Sequence, residues 1–189
     1  MKLIILDKDG TITTPASGEK FVQHPQDQVL LPGVYSGLEW YKSKGRYLAI
    51  ASNQGGVAAG HKTLEEAYQE MAYCRYLCNR LIDATYFCPD LEGNQMHITD
   101  QIAEGSRTCI DLNQEDKDSS EENKLSLLNT SYYRKPGPGM LKHAMQYYNA
   151  SQDETLMIGD RPEDFAAAEM AGVTFLSADK WREELLQLN

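Results

Sequence analysis

Long apolar runs are missing from this 189-residue sequence, and cysteines are few. The first apolar run, residues 3 to 6, is too short for a signal peptide, and no run approaches the roughly 20 residues of a membrane span. We therefore expect a cytoplasmic protein without membrane contact, in which thiols stay reduced. The four cysteines are Cys74, Cys78, Cys88 and Cys109.

Basic residues are also scarce. Lysine and arginine number 18 against 28 aspartates and glutamates, which gives a formal net charge of −10. An acidic surface repels nucleic-acid backbones, so nucleic acid is not an expected partner. The same field opposes any anionic substrate, so a phosphate pocket in this chain needs a cation of its own and a metal ion.

The chain alternates between short apolar runs and helical patterns. Predicted strands cover residues 3–6, 47–51, 84–88, 155–158 and 173–176, and each is apolar on both faces. Predicted helices begin near residues 34, 63, 138, 162 and 178. The second starts at a capping box, Thr63 to Glu66, and extends to about residue 82. This alternation predicts an α/β fold with a doubly wound, mostly parallel sheet.

One segment departs from this alternation. Residues 89 to 133 are polar and poor in predicted strands. We interpret them as a polar insertion or mobile loop within a single domain that spans residues 1–189.

Two carboxylates follow the first predicted strand directly, in the run Asp7-Lys8-Asp9-Gly10-Thr11. Like charges this close raise one pKa or require a cation. An ionised carboxylate can attack phosphorus, and a protonated neighbour can donate to the leaving oxygen. The alternative interpretation is a solvated turn after a strand.

Polar clusters also follow two later elements. Ser52 and Asn53 precede two glycines after the second predicted strand, where hydroxyl, amide and backbone N–H groups can cradle an anion. Arg134 and Lys135 precede a predicted helix and could neutralise phosphate charge. Ordinary turn chemistry and solvated basic residues are the alternatives.

The last cluster, Asp160 to Asp164, follows the fourth predicted strand. Its two acids are four residues apart across a helix start. One can bind a metal ion while the other supports the site from behind, as Asp164 would do for Asp160. Acids that complement a helix dipole are the alternative.

Taken in this order, the four clusters resemble the motifs of the haloacid dehalogenase superfamily of phosphotransferases. The resemblance implies that Asp7 is the nucleophile and a Mg²⁺ ligand. It implies that Asp9 is the general acid and base, with a backbone carbonyl that also binds the metal. Ser52 and Lys135 would hold the transferring phosphoryl group, and Asp160 would complete the protein's share of the metal shell.

Narrower stretches resemble the branch that holds heptose bisphosphate phosphatase and the histidinol-phosphate phosphatase domain. They are Ser52 to Val57, residues 86–89 and Arg134 to Leu141. In that branch the arginine beside the motif lysine recognises substrate, which carries over to Arg134. The resemblance also implies little or no separate cap domain.

Members of that branch carry a loop that binds zinc through a Cys-x-His pair and a Cys-x-Cys pair. In this sequence each pair keeps only its first cysteine. Cys88, His97 and Cys109 could supply three of the four nitrogen or sulfur ligands that structural zinc takes, but their spacing is irregular. Magnesium is therefore the expected cofactor, and zinc is the less favoured addition.

The sequence thus predicts a monomeric, magnesium-dependent phosphatase that forms an aspartyl phosphate. Its expected substrate is a small phosphorylated metabolite such as a sugar phosphate. A polynucleotide 3′-phosphatase is a second possibility, and a non-catalytic phosphate-binding or regulatory domain is a third. The leaving group is recognised by variable loops, so the natural substrate stays open.

Overall fold

The computed structural model describes residues 1–100, 106–114 and 132–186. The strands are β1 (Leu3–Leu6), β2 (Thr13–Thr14), β3 (Val29–Leu30), β4 (Tyr47–Asn53), β5 (Ala84–Cys88), β6 (Gln95–Asp100), β7 (Arg107–Asp111), β8 (Thr155–Gly159) and β9 (Thr174–Ser177). The α-helices of this part of the chain are α1 (Val34–Ser43), α2 (Leu64–Leu77), α3 (Gly139–Tyr147), α4 (Pro162–Ala171) and α5 (Ala178–Leu186). None of these helices is long and apolar enough to cross a membrane.

Seven strands form one sheet in the order β7-β6-β5-β4-β1-β8-β9. β1 lies in its interior and pairs in parallel with β4 on one side and β8 on the other. The chain winds outward from β1 in both directions, since β5 adds beyond β4 and β9 adds beyond β8, again in parallel. The predicted doubly wound, mostly parallel α/β sheet is confirmed.

Alternate side chains of β1 point into two separate cores, as the two-residue period of a strand requires. Ile4 and Leu6 pack on one face with buried residues of α1, α2 and α5. Leu3 and Ile5 pack on the other face with α3 and α4. With helices on both faces, β1 is held firmly, and the residues that follow it are held at the carboxyl edge of the sheet.

The prediction that residues 89 to 133 are strand-poor is wrong where the structure describes them. β6 and β7 form a hairpin that extends the sheet antiparallel to β5. Both strands mix polar residues with apolar ones and are only partly buried, so they lack the continuous apolar pattern of the parallel strands. The remaining residues of that segment, 101–105 and 115–131, lie outside the described residues.

The second helix is shorter than predicted. α2 ends at Leu77, and Asn79 and Arg80 then adopt left-handed backbone conformations with φ of 49° and 58°. The apolar residues that follow continue the helical pattern in sequence, but the chain has already turned towards β5. The pair β2 and β3, each two residues long, was also too short for an apolar pattern to indicate.

The start of α2 has the predicted capping box. The Thr63 hydroxyl accepts a hydrogen bond from the Glu66 N–H at 3.1 Å, and the Glu66 carboxylate accepts one from the Thr63 N–H at 2.7 Å. These bonds satisfy amides that have no partner within the helix.

We predict that Thr63→Ala lowers the free energy of unfolding by about 1 kcal/mol, because the Glu66 amide loses its acceptor. Urea denaturation measures the change. Ser36→Ala, at an exposed position within α1, is the control and should stay within about 0.5 kcal/mol of wild type. Equal effects of the two substitutions would contradict a stabilising cap.

Candidate active site

A cavity opens at the carboxyl edge of the sheet, where β1, β4 and β8 end. This is where α/β sheets bind ligands. Its lining includes six of the predicted site residues and two that the sequence did not single out. They are Asp7, Asp9, Ser52, Asn53, Lys135 and Asp164, together with Arg161 and Glu163.

Lys135 joins three parts of this cavity. Its Nζ lies 2.6 Å from Asp7 Oδ1 and 2.6 Å from Asp164 Oδ1. It also donates to the carbonyl oxygen of Ala51, in β4, at 2.7 Å. All three ionised side chains are buried. The ammonium therefore balances two carboxylates that could not otherwise stay charged side by side away from water.

Burial sets the ionisation of this cluster. It raises the pKa of Asp7 to about 7; the Lys135 ammonium opposes this effect, and the Asp164 and Asp9 carboxylates add to it. Burial acts against the charge of Lys135 as well, but the Asp7 and Asp164 carboxylates outweigh it and raise the pKa of Lys135. The site thus has an excess of negative charge that a further cation would relieve.

Three carboxylates are placed to hold such a cation. Asp7, Asp160 and Asp164 each offer an oxygen, and these oxygens all lie within 4.8 Å of one another. Within the described ranges no other group of His, Cys, Asp or Glu side chains meets this condition. Burial and the Asp164 carboxylate raise the pKa of Asp160. An oxygen-only donor set of this kind fits a hard ion such as Mg²⁺.

The predicted ligand set differs from this group in one member. Asp164 takes part in the group, although one of its oxygens faces Lys135 and the other accepts the Arg161 N–H at 3.1 Å. That arrangement suits the supporting role predicted for Asp164. The Asp9 side chain is not part of the group, and its predicted contribution is a backbone carbonyl.

Glycines let the two acidic loops approach each other. Gly10 has a φ of 90°, and a Cβ there would lie 2.3 Å from Asp160 Oδ2. A Cβ on Gly159 would lie 2.4 Å from the Asp164 carboxylate. A side chain on Gly10 would push the β1 and β8 loops apart, and one on Gly159 would displace the Asp164 carboxylate, which explains the glycine in each motif.

Asp9 lies in a different electrostatic environment from Asp7. Its Oδ1 contacts the ammonium of buried Lys8, and its Oδ2 accepts from Gln54 Nε2 at 3.3 Å. Burial raises the pKa of Asp9, but the Lys8 ammonium more than offsets it, so the pKa lies below its usual range. The side chain is 37% exposed and faces the cavity. Asp9 is therefore an ionised carboxylate within reach of a ligand.

Ser52 and Asn53 are fixed by short-range bonds. The Asn53 side chain accepts from the Lys135 N–H at 2.9 Å and donates to the Lys135 carbonyl at 2.8 Å, which ties the end of β4 to the lysine loop. The Ser52 hydroxyl accepts from Gln54 Nε2 at 2.9 Å. Both residues thus line the cavity from a rigid support.

Arg134 does not line the cavity, unlike its neighbour Lys135. It lies beside the loop that follows β4, where a Cβ on Gly55 would be 2.9 Å from Arg134 Nη1. Its contact with substrate stays a prediction. Arg161, whose side chain is 54% exposed, is a cation that does line the cavity. The sequence could have indicated Arg161 as a cavity residue, because it directly follows Asp160.

The three zinc-ligand candidates lie on opposite faces of the sheet. His97 pairs with Phe87 on one side and with Cys109 on the other, so these three share a face. Cys88 follows Phe87 and points to the other face, where it packs with Met96. Its thiol donates to the Asp90 carboxylate at 3.1 Å. Cys88, His97 and Cys109 therefore cannot bind one zinc ion together, and zinc does not fit them.

Comparisons with known proteins agree with this geometry. A family model described as HAD-hydrolase-like matches residues 132–177. A D-glycero-beta-D-manno-heptose-1,7-bisphosphate 7-phosphatase from Haemophilus ducreyi is 26% identical over 176 residues, covering 91% of this chain and 79% of that protein. The enzyme of the same name from Yersinia pestis is 28% identical and covers 90% of this chain and 76% of its own.

Solved structures show the same fold. The D,D-heptose 1,7-bisphosphate phosphatase of B. bronchiseptica, complexed with magnesium and phosphate, has a TM-score of 0.64 at 20% identity and covers both chains completely. A HAD-like phosphatase from Mesorhizobium loti has a TM-score of 0.66 at 20% identity, over 99% of this chain and 85% of that one.

The matched family model and the curated relatives are those of phosphatases of the haloacid dehalogenase type, and this chain is similar to them. Both curated relatives are named as phosphatases of heptose 1,7-bisphosphate, the branch that the narrower sequence motifs resemble.

We predict that Lys135→Ala lowers the free energy of unfolding by about 3 kcal/mol in a buffer with chelator, because two buried carboxylates lose their shared cation. Adding Mg²⁺ should restore part of the loss, since the ion binds the folded state. Thermal and urea unfolding measure both effects.

Lys42→Ala is the matched control for this prediction. Lys42 also pairs with an aspartate, Asp83, at 2.8 Å, but both side chains are partly exposed. Its loss should cost no more than about 1 kcal/mol. A Lys135 variant that is as stable as the Lys42 variant would contradict the account of a buried charge balance.

Proposed function

We propose that this protein is a magnesium-dependent phosphomonoesterase that transfers the phosphoryl group of its substrate to Asp7. The observation that carries the proposal is the position of Asp7 in the cavity, where its carboxylate contacts the Lys135 ammonium and lies in one group with the Asp160 carboxylate. It combines an attacking carboxylate, an oxygen-ligand set for a hard cation and a buried ammonium that can face phosphate oxygens.

Asp7 and Asp160 would hold the metal ion, with the Asp9 backbone carbonyl as a further ligand and Asp164 as support. When bound, Mg²⁺ supplies positive charge that neutralises phosphate oxygens and so lets an anionic nucleophile approach. Lys135 opposes the rise in the pKa of Asp7 that burial causes, and its contact orients the Asp7 carboxylate before substrate arrives.

In the first step, a carboxylate oxygen of Asp7 attacks phosphorus and the bond to the leaving oxygen breaks. Lys135 and Ser52 hold the transferring phosphoryl group. Asp9 gives its proton to the leaving oxygen. The pKa of Asp9 lies below its usual range in the resting site, so Asp9 takes up this proton from solvent when an anionic phosphate enters and raises its pKa.

In the second step, Asp9 is ionised again and removes a proton from water. The water oxygen attacks phosphorus, and phosphate leaves Asp7. The polar position of Asp9, 37% exposed and adjacent to the cavity, gives water access to it.

A small phosphorylated sugar is the substrate class that we favour. The curated relatives remove the 7-phosphate of a heptose 1,7-bisphosphate. The charged side chains of Arg161 and Glu163 line the cavity and could bind hydroxyl groups or a second phosphate. The net charge of −10 disfavours a nucleic acid substrate.

We predict that Asp7→Asn abolishes turnover, by about 10⁴-fold or more, because an amide is not a nucleophile for phosphorus. It should also abolish the phosphoenzyme. Asp9→Asn should instead form phosphoenzyme from p-nitrophenyl phosphate, whose leaving group needs no proton, and accumulate it. Intact-mass spectrometry detects the adduct. Steady-state turnover close to that of wild type in either variant would contradict the mechanism. Asp153→Asn, at an exposed position before β8, is the control.

We predict that a heptose 1,7-bisphosphate gives the highest kcat/KM in a screen of phosphorylated metabolites. The screen should include sugar monophosphates, histidinol phosphate and a 3′-phosphorylated oligonucleotide. A preference for the oligonucleotide would contradict the small-molecule assignment. Mg²⁺ binding without turnover of any substrate would favour a binding domain instead.

A further inference from the structure

A buried ion cluster lies behind Asp9 and is not used by the mechanism above. At its centre is Glu70 of α2, which is only 2% exposed. Glu70 Oε1 contacts the Lys62 ammonium, and Glu70 Oε2 lies 3.7 Å from Lys8 Nζ. The neighbouring buried positions of α2 are apolar and include Ala67, Met71 and Cys74.

Two chains of contacts lead from Glu70 to the two oxygens of Asp9. In the first, Lys8 Nζ contacts Asp9 Oδ1 directly. In the second, Lys62 Nζ donates to Gln54 Oε1 at 3.1 Å, and Gln54 Nε2 donates to Asp9 Oδ2 at 3.3 Å. Gln54 Nε2 also donates to Ser52 Oγ, so the second chain reaches a predicted phosphate-binding residue as well.

A buried glutamate is a poor choice for stability alone. Apolar residues in place of a whole buried ion cluster are often neutral or stabilising, because they avoid the cost of removing charges from water. Here one carboxylate lies between two ammonium groups, of which Lys8 contacts one oxygen of Asp9 directly and Lys62 is linked to the other oxygen through Gln54. A carboxylate with a hydrogen-bond donor at each oxygen is held in one orientation towards the cavity.

We propose that Glu70 is a positioning residue that orients Asp9, through Lys8 and through Lys62 with Gln54, for proton transfer to the leaving group. The proposal rests on the proposed function, in which Asp9 is the proton donor. Glu70 itself touches neither the cavity nor, in this account, the substrate.

Leaving-group dependence separates this role from a merely structural one. A displaced proton donor slows the release of a basic leaving group, which needs the proton, much more than it slows release of an acidic one. Phenyl phosphate and p-nitrophenyl phosphate have nearly the same shape but differ in leaving-group basicity. General loss of structure would reduce kcat/KM for both substrates equally.

The experiment compares kcat/KM on these two esters, with Mg²⁺, for wild type and for Glu70→Gln. We expect a loss of about 10- to 100-fold on phenyl phosphate and of less than about 3-fold on p-nitrophenyl phosphate. Lys62→Gln should also lose more kcat/KM on phenyl phosphate than on p-nitrophenyl phosphate, by a smaller factor. Lys62→Arg keeps the positive charge and should have wild-type kcat/KM on both esters. Lys62 lies nearer the surface, so it tests the proposal if Glu70→Gln does not fold.

Glu65→Gln is the matched control on the same helix. Glu65 pairs with Arg107 at the surface, away from the cluster, and its loss should change neither rate. Asp9→Asn is the reference for a lost donor and should show the strongest selectivity for p-nitrophenyl phosphate.

Equal losses on the two esters, or no loss, for both Glu70→Gln and Lys62→Gln would overturn the positioning role if Asp9→Asn is selective. A wild-type protein that hydrolyses neither ester, or an Asp9→Asn variant without selectivity, would overturn the proposed function and this inference with it. The two failures are therefore distinguishable.

Discussion

One ammonium group, that of Lys135, determines how the site is built. It contacts Asp7 after β1, the Ala51 carbonyl in β4 and Asp164 in α4, so three separate elements meet at a single nitrogen atom. Both carboxylates are buried, so the ammonium offsets part of the cost of removing their charges from water. The hydrogen bonds between Asn53 and the Lys135 backbone fix the lysine itself. The rest of the cavity is arranged around this point.

The two carboxylates of the first motif lie in different electrostatic environments, because each contacts a different lysine. Asp7 shares Lys135 with another acid, and burial raises its pKa to about 7. Asp9 has Lys8 close to itself, and its pKa is lowered. Environments that push two neighbouring carboxyl groups apart allow them to take different chemical roles. Here the difference matches the roles that we propose, which are metal and phosphorus binding for Asp7 and proton transfer for Asp9.

The acidic character of the chain makes these internal cations more important. A surface with a net charge of −10 offers no general attraction to a phosphate ester. Attraction must come from groups within the cavity and from a bound ion. Lys135 and Arg161 are the basic residues that line the cavity among the described residues. A small, enclosed anion suits such a local arrangement better than a long polyanion does.

The sheet and the main site residues were predictable because they depend on local sequence. Apolar runs such as Leu3–Leu6 indicate buried parallel strands, and the polar residues directly after them must lie at one edge. Glu70 was not predictable, because a glutamate within a helix is ordinarily solvated and only the packing of α2 against the β1 loop buries it. The hairpin of β6 and β7 was missed because its strands are half polar.

For zinc, the sequence allowed a site that the structure excludes. The spacing of Cys88, His97 and Cys109 allowed all three to be zinc ligands, whereas the strand register places Cys88 on the other face of the sheet. That placement requires the pairing of β5 with β6 and of β6 with β7, and neither β6 nor β7 was predicted from the sequence.

The most direct test of the central claim is a crystal structure of the protein with Mg²⁺ and beryllium fluoride, which mimics an aspartyl phosphate. The account predicts the adduct on Asp7, the Lys135 ammonium against its fluorines, and one ion that bridges Asp7 and Asp160. An adduct on another residue, or an ion that does not touch both of these carboxylates, would contradict it.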